Sequence, residues 1–111
     1  MKAAVARGIS AVDHDKGKAL GTAVARARAS LLRASAVSAK AKSAKALALR
    51  GFAKASLAAV QQEKAENAMT RMQYSGANTA TALAKKDMAA AVVLLKKAAH
   101  LLGITAAVKA A

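Results

Sequence analysis

Thirty-five of the 111 residues are alanine and none is proline. Alanine is the strongest helix former, and proline the strongest helix breaker. Such a chain is helical nearly everywhere. β-Branched and aromatic residues are few and never alternate cleanly, so no strand is predicted. The same alanines make a core thin. Phe, Ile, Leu and Val together number only 22, and alanine buries little apolar surface. At ~25 cal/mol per Å2, a core of this kind contends closely with chain entropy.

Charge sharpens the problem. Lys and Arg number 19 against 5 Asp and Glu, a formal net charge of +14. That much like charge opposes a compact isolated monomer, and a polyanionic partner relieves it. These properties together predict an all-α chain of one domain, residues 1–111. It has three to four alanine-rich helices in a hairpin or small bundle, packed into a homo-oligomer or larger assembly. The start, MKAAVARGIS, lacks the apolar run of a secretory signal, and no stretch of 18 apolar residues exists.

Glycines mark the expected boundaries. Helices are predicted over 2–16, 22–49, 52–74 and 80–102. The first is interrupted near Asp13-His14-Asp15, and Gly51 stops the second. Ser75-Gly76-Ala77-Asn78 forms a turn, Asn78 or Thr79 caps the fourth helix, and Gly103 ends it. A short apolar tail, Ile104 to Val108, follows. Gly17 and Gly21 form a GxxxG row that Ala25 and Ala29 extend, a spacing that lets helices touch closely.

Residues 25–50, ARARASLLRASAVSAKAKSAKALALR, hold seven basic residues and no acid. Leu20, Val24, Ala27 and Leu31 fall on one side of the predicted second helix. Arg26, Arg33 and Lys40 lie seven apart and form a ridge on it, with about 10 Å between members. The apolar stripe then fades, because Lys42 and Lys45 stand where it should continue. Within this stretch, residues 34–46, ASAVSAKAKSAKA, resemble in composition the tails of linker histones and bacterial Ala/Lys-rich nucleoid proteins, without the prolines of those tails.

On the third helix, Ala53, Leu57, Val60, Ala65, Ala68 and Met72 are expected to point inward. Glu63 and Glu66 are placed to pair with lysines of a neighbouring segment or copy. On the fourth, Leu83, Ala84, Met88, Ala90, Ala91, Leu94, Leu95, Ala98, Leu101 and Leu102 share a broad apolar face. Lys85, Lys86, Lys96, Lys97 and His100 occupy the opposite arc, which Val92 and Val93 interrupt for a second partner. The expected helix-packing residues are therefore Leu20, Val24, Leu31, Leu57, Val60, Met72, Leu83, Leu94 and Leu101. The expected polyanion-binding residues are Arg26, Arg28, Arg33, Lys40, Lys42, Lys45, Arg50, Lys85, Lys86, Lys96 and Lys97.

Nothing in the sequence points to an enzyme, a metal or a cofactor. Cysteine is absent, which excludes disulfides and thiolate sites. No phosphate-binding glycine loop or nucleophile elbow is present. Asp13-His14-Asp15 reads as a turn with capping aspartates rather than a metal site. One Phe and one Tyr are too few for a base-stacking platform. The expected role is a structural subunit whose basic side contacts nucleic acid backbone without reading sequence. A nucleoprotein coat, a virion-internal protein or a condensing protein fits. Two alternatives remain at this point. One is a membrane-active or channel-forming protein, such as one ejected with a phage genome, that lies on or in a membrane surface. The other is a scaffold for acidic protein partners.

Overall fold

The computed structural model describes residues 1–104. Its elements are α1 (Lys2–His14), α2 (Gly17–Arg33), α3 (Ala39–Thr70) and α4 (Tyr74–Leu102), with no strand among the described residues. The chain is all-α, as composition dictates. At about 1.5 Å per residue the 32-residue α3 is roughly 48 Å long, and it sets the longest dimension of a 50 × 22 × 18 Å body.

Helices α3 and α4 form an antiparallel hairpin with a small-residue seam. Its buried residues are Ala44, Ala48, Gly51, Ala55, Ala58 and Ala59 from α3, and Ala77, Ala80, Ala84, Ala91, Ala98 and Ala99 from α4. Gly51 shows how close the two helices come. A Cβ there would lie 2.9 Å from Leu95 Cγ and 3.3 Å from Leu94 Cβ. Gly51 therefore does not stop a helix. It sits inside α3, at a cost of about 1 kcal/mol relative to alanine, where α4 needs the space.

Helices α1 and α2 supply the bulk that the seam lacks. Only Asp15 and Lys16 join them, so α1 folds back beside α2, and both lie on one side of the hairpin. The largest fully buried side chains are Phe52, Ile9, Leu20, Leu31, Leu95, Val5 and Val24, most of them from α1 and α2. Phe52 enters α1 through Gly8, where a Cβ would overlap the ring. Leu20, Val24 and Leu31 are buried together with Ala27, as their common face predicts. No polar or charged side chain is buried among the described residues.

Several boundaries differ from the sequence reading, each for a local reason. Helix α1 ends at His14, and Gly17 opens α2 with φ 56°. The Gly17 N–H donates to Gln62 Oε1, which ties the α1–α2 junction to α3. The helix expected over 22–49 is two helices, broken at residues 34–38. Ser38 starts α3 by accepting a 3.0 Å hydrogen bond from the Ala41 N–H. The turn expected at residues 75–78 lies earlier, at Arg71–Gln73. There Met72 adopts φ 58°, and Gln73 N–H reaches back to Ala68 O. That closure normally uses glycine. Thr79 bonds back to Ser75 O inside α4 instead of capping it. Gly103 ends α4 in the left-handed conformation as expected. Of the apolar tail, Ile104 packs against the core, and residues 105–108 lie outside the described residues.

The packing of α3 is out of phase with the reading. Leu57, Val60 and Met72 are 48, 49 and 74% exposed, and Ala53 is exposed as well. The buried stripe runs through the small residues instead, because large side chains would hold α4 away. On α4 the broad apolar face divides. Ala84, Ala91, Leu95 and Ala98 are buried, Leu94 and Leu101 are half-buried at its edge, and Leu83 is exposed. Val92 breaks the lysine arc because it belongs to the core cluster with α1, whereas Val93 stays exposed. The GxxxG row meets α3 only through its glycines, Gly17 beside Glu66 and Gly21 beside Ala59, whereas Ala25 and Ala29 are exposed.

These contacts separate glycines that must stay from one that need not. Gly8→Ala is expected to lower unfolding free energy by about 1–3 kcal/mol, because the Phe52 ring has no room to move. Gly21→Ala meets only Ala59 Cβ at 3.6 Å. It should be neutral or stabilise by up to about 1 kcal/mol. Urea titration followed by circular dichroism distinguishes them. In the same assay, Met72→Gly should stabilise by about 1 kcal/mol by removing a side chain from a left-handed position.

Candidate polyanion-binding surface

Axial register decides which basic residues meet. Along the hairpin, Leu47 lines a groove with Leu101, Gly51 faces Leu95, and Gly76 faces Ala68. Lys96 and Lys97 therefore stand level with Arg50. Helix α2 is antiparallel to α3. Gly17 lies by Glu66, Gly21 by Ala59, and the carbonyls of Leu32 and Ala34 by Lys45. Arg33 thus falls beside the start of α3, with Arg26 and Arg28 about two turns further along. Gly8 against Phe52 sets the level of α1.

This register sorts charge by end. One half of the bundle contains the start of α3 and the end of α4. It carries Lys2 and Arg7 from α1, and Arg26, Arg28 and Arg33 from α2. From α3 it takes Lys40, Lys42, Lys45, Arg50 and Lys54, and from α4 Lys96 and Lys97. That is twelve basic side chains and, among the described residues, no carboxylate. The other half carries Lys16, Lys18, Lys64, Arg71, Lys85 and Lys86 beside Asp13, Asp15, Glu63, Glu66 and Asp87, and is close to neutral. Eleven of the twelve side chains at the basic end are exposed.

The exception is Lys45. Its Nζ donates to Ala34 O at 2.8 Å and to Leu32 O at 3.4 Å. A cation at a helix C-terminus meets unsatisfied carbonyls and the negative end of the helix dipole. Lys45 therefore closes α2 rather than standing free for a ligand.

The expected polyanion set is thus redistributed. Arg26, Arg28, Arg33, Lys40, Lys42, Arg50, Lys96 and Lys97 share the basic end. Lys85 and Lys86 lie on the other half, and Lys85 lines a cleft with Lys16, Gln62 and Glu66. The Arg26–Arg33–Lys40 ridge does not exist as one line, since the break at 34–38 puts Lys40 on α3. Lys2, Arg7 and Lys54 join the basic end unannounced by any local motif; only the antiparallel register collects them.

No protein-family model, curated protein or solved structure matches the chain. The site rests on its own geometry. Among the described residues no group of three or more His, Asp or Glu is placed to hold a metal ion. His14 Nδ1 lies 2.9 Å from Ser10 O, within its own helix. Both aromatics are away from the basic end's surface, because Phe52 is fully buried and Tyr74 lies at the far tip of the hairpin.

The role of Lys45 is testable. Lys45→Met keeps the aliphatic stem and removes the cap, and should cost about 0.3–1 kcal/mol in thermal unfolding. Lys42→Met, one turn position away and exposed, should leave stability unchanged.

Proposed function

We propose that this protein is a non-enzymatic architectural subunit. It lays its basic end on nucleic acid backbone without reading sequence, and it assembles on that polyanion. The observation that carries the reading is the separation of twelve cations from all five carboxylates by the register of the bundle. Clustered Lys and Arg displace the counterions condensed on phosphates, and this supplies sequence-independent affinity. Phosphate contacts position a protein, whereas base contacts specify sequence. An end with no exposed aromatic and no Asn or Gln favours the first kind alone. Neutralising that end also removes the repulsion that keeps copies apart, which supports assembly on the polyanion rather than before it.

The test is affinity for a random-sequence DNA duplex across a salt series, with light scattering to follow complex size. If about six phosphates are engaged, log K should fall against log salt with a slope of about −5. Large complexes should grow as DNA is added. A paired reversal localises the effect. Arg33→Glu/Lys40→Glu/Arg50→Glu should lose about 100-fold in affinity. Lys64→Glu/Lys85→Glu/Lys86→Glu changes net charge equally and should lose far less. Equal losses would mean that net charge acts without a site. Failure to bind DNA at low salt would reject the reading in favour of acidic protein partners.

A further inference from the structure

The α3–α4 hairpin has one side covered by α1 and α2 and one side bare. Phe52 and Ala59 of α3 face α1 and α2, and Leu57 lies roughly 140° around the helix from Phe52. On the bare side Leu83 is 43% exposed, Leu47, Leu94 and Leu101 are half-buried in line with it, and Leu47 and Leu101 line a shallow groove of about 410 Å3 with Lys96, Lys97 and His100. Leu57 and Val93, 48 and 52% exposed, lie further out, in the same rows as the flanking cations. From Leu83 to Leu101 this apolar strip is about 27 Å long. Arg50 and Lys54 flank it on α3, and Lys86 and Lys97 on α4, all exposed.

We infer that this bare face is a second binding surface, one that lies flat on an anionic lipid surface. Charge chooses the occupant. A second copy would bring the same cations against Arg50, Lys54, Lys86 and Lys97. An anionic bilayer offers apolar depth beneath the strip and negative headgroups on both flanks at once. Lysine and arginine stems can lie along the apolar strip while their heads stay in the headgroup layer. Among the described residues no helix is long and apolar enough to cross a membrane, so the contact is to the surface. The face is distinct in chemistry from the basic end, since it needs apolar side chains as well as charge.

The experiment is vesicle flotation of the full chain, with phosphatidylcholine vesicles and with equal parts phosphatidylserine and phosphatidylcholine. The parent should float with the anionic vesicles and not with the neutral ones. Leu57→Gln/Leu83→Gln/Val93→Gln changes no charge and alters only exposed positions. It should weaken vesicle binding about tenfold, while affinity for the DNA duplex and helical content stay the same. If the triple variant floats as well as the parent, the attraction is charge alone and the inference is wrong. It is equally wrong if the parent ignores anionic vesicles at low salt. Growth of the lipid-free parent to dimers, abolished in the variant, would assign the face to a second copy. Because DNA affinity is read separately, failure here leaves the proposed nucleic acid reading standing, and failure there leaves this one.

Discussion

The close approach of α3 to α4 is the contact on which the rest of the structure depends. Alanine contributes little transfer free energy by itself. What it allows is a short distance between helices, with dispersion contacts distributed along the whole seam. Gly51 marks the tightest point, where even a methyl group would meet Leu95. A large side chain fits this seam where glycine opposes it, as Leu95 does at Gly51, whereas Leu57 and Val60 turn outward. The deficit is made up on one side only, where α1 and α2 bring Val5, Ile9, Leu20, Val24 and Leu31 around Phe52. The result is a slender body, with much surface for its mass and most of its bulky core concentrated beneath two short helices.

That slenderness is what allows the charge to be sorted. In an antiparallel bundle, residues near one turn share an end with residues near the next turn but one. Asp13 and Asp15 lie at the α1–α2 junction, and Glu63 and Glu66 lie in the last turns of α3, before the α3–α4 turn. Both places are at the same end. The acid-free stretch between Asp15 and Glu63 passes through the other end as α2 finishes and α3 begins. A distribution that looks scattered along the chain thus becomes polar in space.

Composition alone made the all-helical fold legible, and the face of α2 was legible from the spacing of Leu20, Val24, Ala27 and Leu31. Gly103 was legible because its position after an amphipathic run has one common use. The rest was hidden for identifiable reasons. Ser38 breaks α2 from α3 without glycine or proline, inside a run of Ala, Ser and Lys where serine carries no contrast. Met72 closes the α3–α4 turn at a position that glycine usually fills, so the eye goes to Gly76 instead. In α3 Phe52 points inward toward α1, but Leu57 and Val60 point outward, because the face toward α4 selects for smallness. The basic residues were visible individually, but their grouping was not. It depends on helix register, which a single sequence does not state, and it separates Lys85 and Lys86 from Lys96 and Lys97 on the same helix face.

The two proposed surfaces are not independent in space even though their chemistry differs. Arg50, Lys54 and Lys97 belong to the basic end and also flank the bare apolar strip. Phosphates of nucleic acid and headgroups of lipid would draw on the same three cations there. Leu83 lies along the strip away from that shared edge and contributes nothing to a phosphate contact. Salt weakens attraction to both ligands, but it does not weaken burial of apolar area. A polyanion would therefore be held by an interaction that salt removes, whereas a membrane would be held partly by one that salt leaves in place. On the two proposals together, the balance between the two ligands would be set by ionic conditions acting on one shared patch of charge. It follows from where the bundle puts its small residues, since they are what leave the large ones outside.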